Sequence, residues 1–590
     1  MRPLGNDRFG GAFEIEGLLE HRFTIVGWVD RFGTWRRDLL KKLDAEVDVS
    51  TDLLVGAQLV LDASRRATRQ ARARLKAAAS RLGADDASEG VAAALDPELL
   101  ELMEANPDRR HQGAHARELV VSVDPPLARC GAWYELFPRS TAREPGRHGT
   151  FDDVIERLPY VDRLGFDVLY LPPIHPIGHE RRKGPNNSRS RSAKDPGSPW
   201  AIGAREGGHT AVHPALGTLE DFDRLVREAR KRDIQIALDI AFQTTPEHPW
   251  VTEHPEWFKH RPDGSIQHAE NPPKVYEDIY PLDFETKDRQ GLWDAMRDVF
   301  RFWCARGVRC FRVDNPHTKP FAFWEWVIAE VRREYPDSLF LAEAFTRPKV
   351  MYRLAKLGFT QSYTYFTWRT TKGELTGYFT ELTRTGAVEF FRPNVWPNTP
   401  DILHETLQTG GRGAFAARLV LAATLSANYG IYGPAFELQE HTPREPGSEE
   451  YRNSEKYEIR TWDLDRGDTL APMIERVNTI RRAHPALQSD RGLRFHEIAN
   501  DELLAYSKTT EDGSDIVLVI VNLDPRQVRS GWTDLNLDEL GLAAGETFEV
   551  EDLLNGPTYL WQGARNFVQL DPAHEPAHLF HVRLPRRGRP

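Results

Sequence analysis

From Gly131 onward the chain alternates between short apolar runs and amphipathic helical stretches, and this rhythm limits the possible folds more than any other feature. The strand-like runs are "AWYELF", "FDVLYLPPI", "IQIALDIAF", "VRCFRVD", "LFLAEAF", "TQSYTYFT", "VEFFRP" and "NYGIYG". Between most of them lie helical stretches such as "TLEDFDRLVREARKRD", "DRQGLWDAMRDVFRFWCARG" and "AFAARLVLAATLSA". Parallel strands need such crossovers, and the helices then cover the sheet. Eight repeats over roughly 360 residues favour an α/β chain with a closed (β/α)8 barrel at 131–490. An open doubly wound sheet is the alternative, but no glycine-rich dinucleotide loop follows the first strand. One interruption is expected, a proline- and histidine-rich inserted subdomain at 244–284, and loops of that length are usually functional.

The flanks have different textures. Residues 1–34 and 116–130 read as strands of an N-terminal β-sandwich. Two or three strands rarely bury enough surface to stand alone, so this region is expected to be a truncated, partial sandwich. Residues 35–115 are rich in alanine, leucine and arginine at helical spacing, a helical insertion and possible dimer surface. After the helical stretch "TLAPMIERVNTIRRAHPAL", residues 491–590 turn all-β and predict a C-terminal β-sandwich.

Composition excludes several partner classes. The formal net charge of −11 argues against a nucleic-acid partner. Cys130, Cys304 and Cys310 lack metal-ligand spacing, which fits a reducing cytoplasm and no structural metal. The start "MRPLGNDRFGG" lacks a signal-peptide core. No apolar run approaches the ~20 residues that span a bilayer. A cytoplasmic protein with no membrane partner is the expectation.

Carboxylates at the C-terminal ends of barrel strands carry the chemistry. Asp239 closes "IQIALD", Asp314 closes "VRCFRVD", Glu343 closes "LFLAE", and Asp401 follows "FFRPNVWPNTPD". Four acids on one rim repel one another, so a purely structural role would be costly. Two acids on adjacent strands suit retaining glycosyl chemistry, with Asp314 attacking the anomeric carbon and Glu343 moving the proton. Arg312 shares a strand face with Asp314 and brings a cation beside it.

These residues resemble the α-amylase superfamily, whose barrel carries Arg-x-Asp on strand four, Glu on strand five and a later Asp. "WYELFPRS" and "HTAVHPALGTLEDF" are similar to it as well. Two departures set this chain apart: Gln243 follows the strand-three Asp where Asn-His is usual, and Pro400 precedes the third Asp where His is usual. With "RKGPNN", "GSPWAIG", "NPPKVYEDIYPLDF" and "NSEKYEIRTWDL", the chain is closely similar to the α-1,4-glucan:maltose-1-phosphate maltosyltransferases. That resemblance implies Asp314 as nucleophile, Glu343 as acid/base and Asp401 as transition-state stabiliser. It implies Lys183, Gln243, Asp278, Asn315, Lys456 and Tyr457 as substrate-binding residues, with Asp239 beside them. Asn271, Lys274 and Tyr276 add an amide, an ammonium and a phenol that can all donate to phosphate oxygens.

The implied substrates are α-maltose 1-phosphate and a linear α-1,4-glucan, in a homodimer that needs no cofactor. An α-glucan hydrolase or a trehalose/maltose-type glucosyl isomerase would use the same acids, and a non-catalytic glucan-binding protein is the remote alternative.

Overall fold

A computed structural model describes residues 1–189, 192, 194–271 and 274–584, with the side chains of Asn271 and Lys274 outside the described part. The chain divides into two compact units, Met1–Val123 and Asp124–Pro590. Among the described residues no helix is long and apolar enough to cross a membrane.

In the first unit the helices Arg31–Asp44, Ser50–Arg66, Arg69–Leu82, Ala87–Leu95 and Pro97–Ala105 enclose a core that includes Trp35, Leu53, Val60, Leu75 and Met103. Their starts are set locally. Asp30, Thr68, Asp86 and Asp96 each accept a backbone N–H in the first turn, and Pro97 opens the last helix. The helical segment thus spans 31–105 rather than the expected 35–115. The strands form separate two-stranded ladders, Arg2–Gly5 with Arg8–Gly10, Leu19–Phe23 with Leu119–Val123, and Val26–Gly27 with Gly113–Ala114. No second layer covers them within this unit, and Phe9, Phe13 and Val120 are 59%, 60% and 51% exposed.

The second unit holds the barrel. Its strands are β1 (Gly131–Glu135), β2 (Val168–Leu171), β3 (Gln235–Ile240), β4 (Cys310–Val313), β5 (Leu339–Ala342), β6 (Gln361–Ser362), β7 (Asn394–Val395) and β8 (Asn428–Tyr432). All neighbours pair in parallel in the order β6-β5-β4-β3-β2-β1-β8-β7. A parallel bridge from Ser362 to Pro393, with Ser362 N donating to Arg392 O at 3.0 Å, closes the ring. Helices cross over after every strand, and those at Phe151–Arg163, Leu219–Arg230 and Lys372–Arg384 start in reciprocal capping boxes.

Two details differ from the sequence reading. "VEFFRP" is not itself the seventh strand, because Thr385 caps a tight turn at Gly386–Glu389 and Phe390 and Phe391 pack edge-on against Tyr352. Extended pairing begins only at Pro393. The barrel is also interrupted more than once, with long excursions at 172–218 and 433–470 beside the one after β3. In that third-strand excursion, Ala269–Asn271 pairs with Lys274–Tyr276, and Gln243–Thr244 pairs with Tyr280–Pro281.

Side chains fill the barrel rather than leaving a pore. Trp133, Tyr170, Cys310, Leu341, Tyr363 and Trp396 share one interior cluster. The C-terminal strands form one continuous antiparallel sheet running from Leu493–Ile498 to Ala577–Arg583. Strand Leu493–Ile498 pairs with Leu503–Thr509 through its first half and with Arg529–Asp534 through its end. The sheet can therefore curl, and Trp561, Val568 and Leu570 from its two edge strands meet in one core. Its other face packs on barrel helix Gly411–Leu425, where Thr424 and Tyr506 hydroxyls lie 2.5 Å apart.

Packing at β8 leaves no room for a side chain at position 430. A Cβ on Gly430 would lie 2.3 Å from Trp396 Cζ2. Gly430→Ala is expected to cost about 1–3 kcal/mol through overpacking, read by urea denaturation. A variant as stable as the parent would show that the indole can yield.

Candidate active site

The side chains of β3 and β4 alternate between the outer core and the barrel interior, so Ala237, Asp239, Cys310 and Arg312 point inward. The register places Arg312 directly beside Asp239. The ladder runs one residue past each strand, with Asp314 N donating to Ile240 O and Glu343 N to Val313 O, both at 3.0 Å. Backbone pairing therefore carries both acids to the C-terminal mouth.

One guanidinium ties them together. Arg312 Nη1 donates to Asp239 Oδ2 and to Asp314 Oδ1, each at 2.9 Å, and Nη2 meets Glu343 Oε1 at 3.0 Å. Asp239 is fully buried, and its Oδ2 also accepts from the Tyr170 hydroxyl at 2.6 Å and Trp200 Nε1 at 3.2 Å. Asn315 adopts the left-handed conformation, φ 42°, and turns its backbone N–H toward Glu343 Oε2 at 3.1 Å. The two oxygens of Glu343 are thus held by different donors.

Burial pushes the Glu343 carboxyl up to about 8, against the opposing pull of Arg312, and Asp314 and Asp401 raise it further. Burial likewise raises Asp239 to about 6, again opposed by Arg312.

Asp401 stands across the mouth, where Lys456 Nζ pairs with its Oδ1. Lys456 also lies over the Trp200 ring at 5.1 Å, and Gln243 Nε2 donates to Trp200 O at 3.0 Å. Trp200 therefore links Asp239, Gln243 and Lys456. Tyr457 lies 6.0 Å from Lys456 and shares a small cavity with it and Asp401. Burial raises the Tyr457 phenol to about 12.

Lys183 and Asp278 are both buried. Burial raises the Asp278 carboxyl, and the charge of nearby Lys183 opposes the shift. Tyr276 sits on the hairpin with its ring exposed, and no contact among the described residues ties it to the acids. The side chains of Asn271 and Lys274 lie outside the described residues.

Several residues at the site were not singled out from sequence. Tyr170, Trp200 and the buried Glu135 all adjoin the acid cluster, and burial holds Glu135 well above the usual carboxylate range. Their signal was parity: Glu135 and Tyr170 are inward positions at strand ends and pair directly. Burial lowers the Lys319 ammonium, and the nearby charges of Asp314 and Glu343 oppose that shift. A cleft of about 1090 Å³ lies elsewhere, between helices Lys372–Arg384 and Gly411–Leu425 and the C-terminal sheet. It contains none of these acids.

Family profiles match three stretches. Residues 1–125 match "Alpha-1,4-glucan:maltose-1-phosphate maltosyltransferase, domain N/S", residues 135–339 match "Alpha amylase, catalytic domain", and residues 495–582 match "GLGE, C-terminal". Among full-length relatives, the alpha-1,4-glucan:maltose-1-phosphate maltosyltransferase of Chlorobaculum tepidum is 52% identical over 99% of this chain and 88% of its own length. Its namesake from Methylacidiphilum infernorum is 50% identical, over 99% and 87%. The one from Mycolicibacterium smegmatis is 49% identical, over 98% and 84%. Of solved structures, an alpha-amylase from Lactobacillus plantarum superposes with a TM-score of 0.59 at 21% identity, covering 78% of this chain and all of that one. A maltogenic alpha-amylase from Thermotoga neapolitana gives 0.60 at 17%, with 78% and 100% covered. These two show the fold alone.

The raised Glu343 carboxyl has a consequence for stability. Its ordinary value is 4.5, so between there and about 8 the folded chain holds a proton that the unfolded chain has lost. Stability contributed by that proton is present below the lower value and is lost as pH rises through the upper one. Relative to Glu343→Gln, the parent should lose about 1–4 kcal/mol between about pH 5 and about pH 8. Parallel denaturation profiles for the two proteins across that window would contradict the assignment.

Proposed function

This chain belongs to the alpha-1,4-glucan:maltose-1-phosphate maltosyltransferase family, and from that premise we propose how its acids perform the transfer. The enzyme is a glycosyltransferase that moves maltosyl units from α-maltose 1-phosphate to α-1,4-glucans in α-glucan biosynthesis. The observation that carries the mechanistic reading is the Arg312 guanidinium, which joins Asp314 and Glu343 through adjacent nitrogens. A pair held that closely suits the short carboxyl separation, roughly 5–5.5 Å, of double displacement.

In the first step Asp314 attacks the anomeric carbon. Arg312 occupies Oδ1, so Oδ2 is the attacking oxygen. The C1–O bond to phosphate breaks, phosphate leaves with the electron pair, and a β-maltosyl ester forms. Phosphate is a good leaving group and needs little proton donation. Esterification removes the negative charge of Asp314, one cause of the raised Glu343 carboxyl. Glu343 then gives its proton to the departing phosphate more readily and, as the carboxylate, becomes the base for the second step. It takes the proton from the 4-hydroxyl at the glucan's non-reducing end, the ester bond breaks, and a new α-1,4 bond forms with retention. Asp401 holds sugar hydroxyls as the ring distorts.

The donor phosphate falls to Lys183, Gln243, Asn315, Lys456 and Tyr457, with Asp278 orienting Lys183. Arg312 and Lys456 are each already engaged by acids, so phosphate binding draws on the remaining donors of Lys456 and on Lys183. Asn271, Lys274 and Tyr276 extend this role to the hairpin. A homodimer fits the exposed Leu54 and Val55 on helix Ser50–Arg66. A cytoplasmic setting fits three free cysteines.

Maltose 1-phosphate and maltohexaose should yield free phosphate and a chain longer by two glucose units. Asp314→Ala is expected to abolish this while leaving the circular dichroism spectrum unchanged. Glu343→Ala should accumulate a maltosyl adduct visible by mass spectrometry of the intact protein. Turnover by Asp314→Ala near the parent rate would sink the double-displacement reading.

A further inference from the structure

Three segments of the second unit bring together side chains that the transfer does not use. His484 follows the last barrel helix, Ala471–Ala483. Asp515 precedes strand Ile516–Asn522, and His581 lies on strand Ala577–Arg583. His484 Nδ1 is 2.9 Å from Asp515 Oδ1, and His581 Nε2 is 3.6 Å from the same oxygen. One ligand atom from each of the three lies within 4.8 Å of the other two.

A tetrahedral ion with ligands at 2.0–2.2 Å spaces them roughly 3.3–3.6 Å apart. The 3.6 Å separation already falls in that range, and the 2.9 Å pair reaches it with a ring movement of about half an ångström. Asp515 Oδ2 accepts from Ala486 N at 2.9 Å, an outer bond that fixes the carboxylate's orientation. His581 makes no hydrogen bond through either ring nitrogen among the described residues, and its side chain is 28% exposed, which leaves a path from solvent. Glu551 stands directly opposite His581 in the ladder and adds a second carboxylate to that face.

Two other clusters have similar composition, and each already contains its answer. Between Asp552 and Glu575, Asn555 Nδ2 donates to both carboxylates, at 3.1 and 2.6 Å. In the cluster of His254, Glu256 and Asp288, the His254 ring stacks on Trp257 at 3.8 Å, and Trp257 Nε1 donates to Asp288 at 3.0 Å. Of these three clusters among the described residues, the one around Asp515 alone has two imidazoles converging on one carboxylate oxygen with no such donor between them.

We propose that His484 Nδ1, Asp515 Oδ1 and His581 Nε2 bind a divalent transition ion of the zinc class, with water in the fourth position. Two imidazoles and a carboxylate are a common donor set for zinc. The bound ion would staple the end of the last barrel helix to the C-terminal sheet, and its binding free energy would add to folding stability.

The test uses the untagged full-length protein, stripped with chelator and titrated with Zn²⁺ by calorimetry and with Co²⁺ by visible absorption. One equivalent should bind, with the intense d–d bands of tetrahedral cobalt, and Zn²⁺ should raise the unfolding temperature. His581→Ala and the near-isosteric His484→Asn should each weaken binding by more than ~100-fold, beyond the loss expected for an outer partner alone. His578→Ala, in the neighbouring cluster, should leave it unchanged. Absence of uptake by the parent, or undiminished uptake by His581→Ala, would overturn the proposal.

Discussion

A single buried guanidinium organises the active end of this barrel. Arg312 is 7% exposed and carries ion pairs to three carboxylates from three different strand ends. Neither part is tolerable alone. A buried arginine without acids would be an uncompensated charge, and clustered acids without the arginine would repel one another out of place. Lysine could not substitute, because a point charge cannot meet Asp239, Asp314 and Glu343 along separate N–H directions. The arginine also divides labour among the acids. Asp239 is fully buried behind it and further held by Tyr170 and Trp200, whereas Asp314 and Glu343 each keep 13% exposure at the mouth.

The guanidinium can hold that position only because the layer around it is packed. Tyr363 lies within 5.9 Å of it and stacks on Trp396 at 5.1 Å, and Trp396 in turn presses on Gly430 of β8. The site is thus linked to barrel closure, since β7 begins just beyond the Ser362–Pro393 bridge. The backbone contributes directly as well. The left-handed Asn315 costs local strain and delivers an N–H to Glu343 that no side chain could place as rigidly.

Much of this was legible in the sequence, for definite reasons. Period-two and period-3.6 patterns mark buried strands and crossover helices, so the barrel and the acids at its strand ends could be read directly. Arg312 and Asp314 were visible as a pair because residues two apart share a strand face. The seventh strand was misplaced because "VEFFRP" is apolar for another reason, its phenylalanines packing against Tyr352 across a turn. Trp200 was hidden because its partners Asp239, Gln243 and Lys456 are far away in sequence and meet it only through the excursion after β2. Glu135 and Tyr170 were readable in principle, but their importance depends on register across the ring, which composition does not reveal.

The central claim is that one guanidinium, by its geometry as well as its charge, aligns nucleophile and acid/base. The most direct measurement is steady-state kinetics of Arg312→Lys with maltose 1-phosphate and a maltooligosaccharide, alongside its circular dichroism spectrum. With the charge kept and the fork lost, kcat should fall more than ~100-fold, in line with the cost of a misplaced catalytic constellation, while KM for the glucan changes little and the fold persists. A lysine variant that retains kcat within a few-fold of the parent would contradict the account.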